Sequence, residues 1–146
     1  MQHLMKPAFA LVCAIGILSL GGCATTAKRP ASVEALFKKA DKSGDGRVSR
    51  TEYEDFMIEE MFANFDKNGD GFITEAEFVA DGGTVKTFRE INVSGTGKIT
   101  LIEAKSSKLV RNRLAAPFKE ADVNGNGYVT WDEFQAARAK ARAYVR

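Results

Sequence analysis

Oxygen-bearing side chains recur at fixed intervals in one short stretch of the chain, DKNGDGFITEAEF at residues 66–78. Asp66, Asn68 and Asp70 occupy alternate positions, a glycine follows, and Glu77 comes near the end. Carboxylate and amide oxygens are ligands for hard cations, and Ca²⁺ takes about six to eight oxygens at roughly 2.3–2.6 Å. Residues of these types at this spacing therefore indicate a loop that wraps around a divalent cation.

The same arrangement occurs three more times, which gives four loops at residues 41–52, 66–77, 92–103 and 122–133, numbered 1 to 4 in chain order. Each loop starts four residues after a Phe and has Gly at position 6, an aliphatic residue at position 8 and Glu at position 12. Glycine permits the sharp turn, position 7 offers its main-chain carbonyl, and the Glu closes the shell with both oxygens. In loops 1, 2 and 4 the candidate ligand positions hold Asp41, Ser43, Asp45, Arg47, Ser49 and Glu52; Asp66, Asn68, Asp70, Phe72, Thr74 and Glu77; and Asp122, Asn124, Asn126, Tyr128, Thr130 and Glu133.

Loops 2 and 4 follow D-x-[DN]-x-[DN]-G-x5-E, the EF-hand pattern, and loops 1 and 3 keep its glycine and closing Glu with other residues at some ligand positions. Over residues 33–146 the chain resembles the calmodulin-like multi-EF-hand calcium-binding proteins. The resemblance implies an all-α fold of four EF-hand helix-loop-helix repeats, with short β-bridges between paired loops. It also implies Ca²⁺ as the bound ion, and we expect two or three ions per chain.

The loops differ in the number of charged ligands that they offer. Loop 2 matches the pattern fully and is expected to bind best, whereas loop 1 has Ser43 at position 3 and the cations Lys42, Arg47 and Arg50 close by. Loop 4 has only two ligand carboxylates, so weaker binding is expected there. Loop 3 has one charged ligand and an opposing Lys98, so it is either a low-affinity site or a loop kept to pair with a neighbour. Its residues at the ligand positions are Asn92, Ser94, Thr96, Lys98 and Glu103.

The N-terminal segment has the parts of a secretory signal. Lys6 supplies positive charge, residues 8–20 are apolar and uncharged, and small residues precede Cys23. The apolar run is too short for a membrane-spanning helix, which needs roughly 20 residues. The ending LGGC resembles a bacterial lipobox, which implies a signal peptide over 1–22, lipid attachment at Cys23 and a flexible tether over 23–32. The alternatives are an ordinary cleaved signal with an incidental Cys, or an uncleaved anchor.

Location and partners follow from the same resemblance. It implies a lipid-anchored protein of the bacterial cell envelope, and Ala24 after the cysteine is consistent with the outer membrane, facing the periplasm. The formal net charge of +2 is too balanced for a nucleic-acid binder. The single His, His3, lies in the segment predicted to be removed, so the commonest general base is missing. We therefore predict no enzyme activity and no small-molecule substrate.

Helices must position these loops. The connection between loops 1 and 2 has room for one helix, from about Arg50 to Phe65, which would put the two loops at opposite ends. Gly82 and Gly83 break the next connection into two short helices, so loops 2 and 3 could pair, and the remaining pairing stays open. Pro117 is predicted to start a new helix before loop 4.

Two features bear on a protein partner. Met57 and Met61 are either core residues or part of a groove that Ca²⁺ exposes. The last helix has cations that form either a solvated face or a contact with anionic headgroups or an acidic partner. The functional hypotheses are a Ca²⁺-responsive module that binds an unidentified protein partner, a Ca²⁺-stabilised structural or buffering protein, and an accessory subunit of a membrane enzyme. In the last helix, Phe134, Ala137, Ala141 and Tyr144 share one face, and the cations are Arg138, Lys140, Arg142 and Arg146.

Overall fold

A computed structural model describes residues 32–143, with side chains described through residue 140. The predicted signal peptide, Cys23 and nearly all of the predicted tether lie outside the described residues. Within the described range each loop follows a helix and contains a three-residue strand, after which the next helix begins, which confirms the predicted all-α fold with short β-bridges. The elements are α1 (Val33–Ala40), β1 (Arg47–Ser49), α2 (Arg50–Phe65), β2 (Phe72–Thr74), α3 (Glu75–Ala80), α4 (Val85–Ile91), β3 (Lys98–Thr100), α5 (Leu101–Ser106), α6 (Lys108–Ala121), β4 (Tyr128–Thr130) and α7 (Trp131–Ala143).

The strands form two antiparallel pairs, and these pairs join the loops in a nested order. β2 pairs with β3, so loops 2 and 3 lie side by side as the sequence suggested. β1 pairs with β4, which joins the first loop to the last. In each pair the position-8 residues face one another, Val48 with Val129 and Ile73 with Ile99, and all four side chains are buried.

Helix α2 connects the two loop pairs. It has the predicted bounds, and its 16 residues make it roughly 24 Å long. Ser49 caps its N-terminus in a capping box with Glu52, and the main-chain N–H of Asp66 bonds to the carbonyl of Phe62 at its end. Because α2 leaves loop 1 and enters loop 2, those two loops cannot pair with each other, and loop 1 takes loop 4 instead.

One hydrophobic core runs between the two pairs. Phe56 of α2 is fully buried and its ring lies 5.9 Å from that of Phe134 in α7. In the other half, the Phe65 and Phe78 rings stack at 5.1 Å. Met57 is 7% exposed, so it belongs to the core in this structure, and Met61 is half-buried against it. Burial of this kind contributes on the order of 25 cal/mol for each Å² of apolar surface.

The predicted helix start at Pro117 is wrong. Helix α6 begins at Lys108, directly after Ser107, and Pro117 lies inside it. A proline in a helix interior removes one hydrogen bond, but the turns on either side bury Leu114 and Phe118 in the core, and that burial keeps the helix continuous. Arg111 also ties α6 to α2, because its guanidinium contacts carboxylates of Glu54 at 3.0 Å and Asp55 at 2.7 Å.

The last helix differs in part from the prediction. Phe134 is buried and Ala137 packs against the core, as the apolar face requires. Arg138 is half-buried over the rings of Phe56 and Phe134, at 5.2 and 5.5 Å, so this cation packs on the core instead of standing in solvent. Lys140 is exposed. The side chains of residues 141–146, which include the other predicted face residues, lie outside the described part. Within residues 32–143 no helix has the length and apolarity to cross a bilayer.

Candidate metal-binding loops

Each loop starts where a helix ends. The main-chain N–H of position 1 still bonds to the carbonyl of the Phe four residues earlier, at 2.8–2.9 Å in all four loops. The chain then turns at two glycines with positive φ, such as Gly69 at 73° and Gly71 at 82°. The requirement at position 4 was missed from the sequence, although all four loops have Gly there. An L-residue at these angles would strain the backbone, so both glycines shape the loop.

The position-1 carboxylate organises the loop interior. In loop 2, Asp66 Oδ1 accepts hydrogen bonds from Gly69 N–H at 2.8 Å and Asp70 N–H at 3.1 Å, and its Oδ2 accepts from Gly71 N–H at 2.9 Å. Asp41 accepts from the same three positions in loop 1. These contacts point the carboxylate into the loop. They use three of its four lone pairs, so one lone pair on Oδ2 is left for an ion.

The position-12 glutamate connects the two ends of each loop. Glu77 Oε2 accepts from the Thr74 N–H at 2.9 Å and hydroxyl at 2.8 Å, and Oε1 accepts from Lys67 N–H at 3.2 Å. In loop 1, burial opposes ionisation of Glu52, but hydrogen bonds from the N–H and hydroxyl groups of Ser49 and Ser43 outweigh it and lower the pKa of Glu52 to about 2. At neutral pH the Glu52 carboxylate is therefore ionised, and its two oxygens are held in place by hydrogen bonds.

Loops 1 and 2 differ in the contacts of the carboxylate at position 5. Asp45 Oδ2 lies 3.1 Å from Nε of Arg47, and this guanidinium holds the pKa of Asp45 below its usual value. Asp70, at the same position of loop 2, accepts from the Asn68 amide at 3.2 Å and the Phe72 N–H at 3.0 Å. Among the described residues no cation pairs with Asp70. The position-5 carboxylate of loop 1 is thus paired with a cationic side chain, whereas that of loop 2 accepts only from neutral groups.

Neutral side chains of loop 3 form hydrogen bonds with main-chain groups of the same loop. In the amide orientation that satisfies both of its ends, Asn92 accepts from Gly97 N–H at 3.0 Å and donates to the Lys98 carbonyl at 3.2 Å. The Thr96 hydroxyl donates to the same carbonyl at 3.1 Å. That carbonyl is the position-7 ligand of an EF-hand, and in the described parts of loops 1, 2 and 4 no side chain donates to the equivalent oxygen. Loop 3 therefore differs from the other three loops in that side-chain donors bind its position-7 carbonyl.

Loop 4 keeps the carboxylate geometry at both ends. Asp122 is buried and accepts from Asn126 N–H at 3.1 Å and Gly127 N–H at 2.9 Å. Glu133 Oε2 accepts from the Thr130 N–H at 2.9 Å, as in the other loops. Its Oε1 accepts from the Asn124 amide at 2.8 Å, so the position-3 side chain contacts the position-12 side chain directly.

The oxygen atoms of these loops fit Ca²⁺ as ligands when charged and neutral oxygens are counted together. In the described part of the chain, no three Asp, Glu, His or Cys side chains form a group that could hold an ion without help. Loops 1, 2 and 4 instead combine carboxylates with amide, hydroxyl and main-chain carbonyl oxygens. This mixture suits a hard cation, whereas Zn²⁺ and copper sites usually include His or Cys ligands.

Comparison with protein-family models identifies the class. A model described as an EF-hand domain pair matches residues 55–139, which is more than half of the chain, and a model described as EF hand matches residues 33–57. The chain belongs to the EF-hand family. EF-hand domains bind calcium and are typically non-enzymatic, so the family agrees with Ca²⁺ as the ion. Comparisons with curated proteins and with solved structures gave no significant match.

The structure brings the predicted ligand residues of each loop together around one concave turn, as the contacts above describe. It places the four position-7 residues on the strands, where the Arg47 side chain lies over the Tyr128 ring and the Lys98 side chain over the Phe72 ring. The assignment of individual residues as ligands stays a prediction. Lipid attachment at Cys23 also stays a prediction, because that residue lies outside the described part.

Proposed function

We propose that the chain binds Ca²⁺ in loops 1, 2 and 4, one ion in each, and that loop 2 is the tightest site. The observation that carries this proposal is the interior of loop 2. There, main-chain N–H groups already hold the carboxylates of Asp66 and Glu77 in place, and no cation among the described residues pairs with Asp70. Ligands that are preorganised need little rearrangement on binding, which favours affinity.

Calorimetry of single-ligand variants tests this assignment. Asp41→Ala, Asp66→Ala and Asp122→Ala should each remove one ion, and the loss of loop 2 should remove the tightest. Trp131 provides an independent signal, because its ring packs edge-on against Phe37 at 5.3 Å and so joins the helices that flank loops 1 and 4. Its fluorescence should respond to Ca²⁺ in the wild type and in Asp66→Ala. A wild-type chain that binds no Ca²⁺ would contradict the proposal.

A responsive role is supported by a cleft in the half that contains loops 2 and 3. This cleft has a volume of about 50 Å³ and an almost entirely apolar lining, which includes Met61, Phe65, Phe78 and Val110. Helix α3 follows loop 2 and carries Phe78 into the cleft. If Ca²⁺ reorients α3, the cleft widens and offers an apolar groove to a protein partner, as in sensor EF-hands.

Binding of a hydrophobic dye measures this change. Dye fluorescence should rise with Ca²⁺ in the wild type and stay low in Asp66→Ala, whereas Asp41→Ala, which acts in the other loop pair, should keep most of the rise. A wild type that binds Ca²⁺ without any rise in dye fluorescence would contradict the responsive role and leave Ca²⁺ binding itself intact.

A structural or buffering role is the second candidate, and the shared core favours it. Because α2 contributes Phe56 and Phe62 to one core that serves both loop pairs, opening either pair disturbs the other. Ca²⁺ would then act mainly by stabilising the fold through linkage of binding to folding. Thermal unfolding with Ca²⁺ and with chelator separates the candidates: a large rise in Tm without increased dye binding indicates the structural role.

We also propose that the protein is anchored to a bacterial membrane through lipid on Cys23, with the EF-hand domain in the periplasm or at the surface. The support is the LGGC sequence after a short apolar run. Mass spectrometry of the protein from a bacterial envelope should show an N-terminal acylated cysteine, and Cys23→Ser should release the protein from the membrane or leave it unprocessed. An unmodified Cys23 in the membrane fraction would contradict this.

A further inference from the structure

Arg47 makes contacts in two loops. Its Nε lies 3.1 Å from Oδ2 of Asp45, the position-5 residue of loop 1. Its guanidinium carbon lies 4.1 Å from the ring centre of Tyr128, the position-7 residue of loop 4. The main-chain N–H of Arg47 also donates to the other oxygen of Asp45 at 3.1 Å. Both carboxylate oxygens of a candidate ligand are therefore bound by one residue.

The other loop pair has a matching cation and ring without this second contact. Lys98 of loop 3 lies over the Phe72 ring of loop 2 at 4.9 Å, also between position-7 residues. Within the described residues, Lys98 forms no ion pair. The cation on a neighbouring ring is thus common to both strand pairs, and only in loops 1 and 4 does it reach a ligand carboxylate.

We propose that Arg47 is an affinity-determining residue of loop 1, because its guanidinium, steadied on Tyr128, competes with Ca²⁺ for Asp45. This inference rests on the proposed binding of Ca²⁺ by loop 1. An ion that enters the loop must share or displace the guanidinium contact, and it also meets the repulsion of a nearby positive charge. The affinity of loop 1 for Ca²⁺ is consequently lower than its ligand types alone would predict.

The solvent exposure of Arg47 and Asp45 determines how much their contact changes the Ca²⁺ affinity of loop 1. The Arg47 and Asp45 side chains are 52% and 43% exposed, and ion pairs in such settings contribute modestly and are screened by salt. Removing the guanidinium should therefore tighten loop 1 by about two- to fivefold at low salt, and by less at high salt. The contact with Tyr128 also predicts that a change at the ring alters the affinity of loop 1 in the same direction and to a smaller extent.

The test is a Ca²⁺ titration of the full chain followed by NMR at glycine amides, which resolves the loops individually. Gly46 N–H donates to Asp41 in loop 1, and Gly71 N–H donates to Asp66 in loop 2, so each reports on its own loop. Arg47→Gln should shift the Gly46 midpoint to a Ca²⁺ concentration about two- to fivefold lower and leave the Gly71 midpoint unchanged.

Two variants serve as controls. Arg50→Gln removes an exposed cation that pairs with Glu54 instead of a loop ligand, and it should leave the Gly46 midpoint unchanged. Tyr128→Leu keeps the cation and removes the ring, and it should give a smaller shift in the same direction as Arg47→Gln. An equal shift in Arg50→Gln, or no shift in Arg47→Gln while Gly46 still responds to Ca²⁺, would overturn the inference and leave the proposed function standing. A wild-type Gly46 that never responds would overturn both for loop 1.

Discussion

Loops 2 and 3 lie side by side, yet they fill their interiors in opposite ways. Both have glycines with positive φ at positions 4 and 6, and both end in a capping box made by Glu77 or Glu103. In loop 2 the carboxylates of Asp66, Asp70 and Glu77 accept hydrogen bonds from neutral donors, and no cation among the described residues pairs with Asp70. In loop 3 the Asn92 amide and the Thr96 hydroxyl donate into the same space.

The difference separates the requirements of the loop fold from those of ion binding. Glycines, an aliphatic residue at position 8 and the closing Glu are enough to form the turn and the strand pair, since loop 3 keeps all of them. Burial opposes ionisation of Glu103, but hydrogen bonds from Thr100 and Ser94 lower its pKa to about 2, as for Glu52. We expect ion binding to depend on positions 1, 3 and 5, where loop 3 is neutral.

The largest effect is expected from the residue that joins the two loops. Ile99 is 1% exposed and pairs with Ile73 across the strands. Ile99→Ala should lower the free energy of unfolding by about 2–5 kcal/mol, because it leaves a cavity, and should weaken Ca²⁺ binding at loop 2. Chemical denaturation and a Ca²⁺ titration measure both. Ile102→Ala, at a site 77% exposed in the same loop, should change stability by less than about 0.5 kcal/mol.

The second-largest effect is expected from removal of the position-1 ligand of loop 2. Asp66→Ala deletes a carboxylate and leaves three N–H groups without their acceptor, so affinity at loop 2 should fall by about a hundredfold. Calorimetry gives the affinity and the number of ions. Glu75→Ala removes a charge at position 10 of the same loop, and a comparable loss in that variant would show that net charge, and not coordination, governs binding.

Loop 3 should gain a site when its interior is made acidic. Asn92→Asp with Thr96→Asp replaces the groups that donate to the Lys98 carbonyl with carboxylates, so Ca²⁺ affinity at loop 3 should rise by on the order of tenfold or more. The count of bound ions is the measurement. Thr84→Asp with Thr87→Asp adds the same charge at the N-terminus of α4, outside the loop. If that pair of changes produced an additional ion equally well, the role of the loop interior would be refuted.

The smallest effect concerns one hydroxyl in loop 3. Thr96→Val keeps the shape of the side chain and removes its hydrogen bond to the Lys98 carbonyl. Stability without Ca²⁺ should fall by about 1 kcal/mol, and the number of bound ions should not change. A variant that lost an ion instead would mean that Thr96 serves as a ligand, contrary to the proposed closure of loop 3.

Local signals predicted much of this molecule. The bounds of α2 followed from the length and helical spacing of the connection between loops 1 and 2, and Gly82 with Gly83 correctly separated α3 from α4. The prediction of a helix start at Pro117 was wrong. Proline disfavours a helix interior, but burial of the residues around Pro117 outweighs that local preference. The pairing of β1 with β4 joins the two ends of the domain, and no local pattern contains that information.

Side-chain contacts inside the loops were harder to predict. Charge counts indicated that loop 3 is weak, but the donation from Asn92 to the Lys98 carbonyl depends on an amide orientation that only the folded loop defines. The contact of Arg47 with Asp45 joins residues two apart and could have been anticipated. It was missed because position 7 was considered only for its main-chain carbonyl, and Arg47 only for the charge that it brings near loop 1.

The contrast between loops 2 and 3 is the central claim, and a Ca²⁺ titration followed at the amides of Gly71 and Gly97 tests it most directly. These glycines occupy position 6 of the two paired loops, and each N–H donates to the position-1 side chain of its own loop. The Gly71 resonance should move far and saturate first, whereas Gly97 should move little, reporting only the occupancy of its neighbour. A Gly97 shift as large as that of Gly71, or a Gly71 resonance that ignores Ca²⁺, would contradict the account.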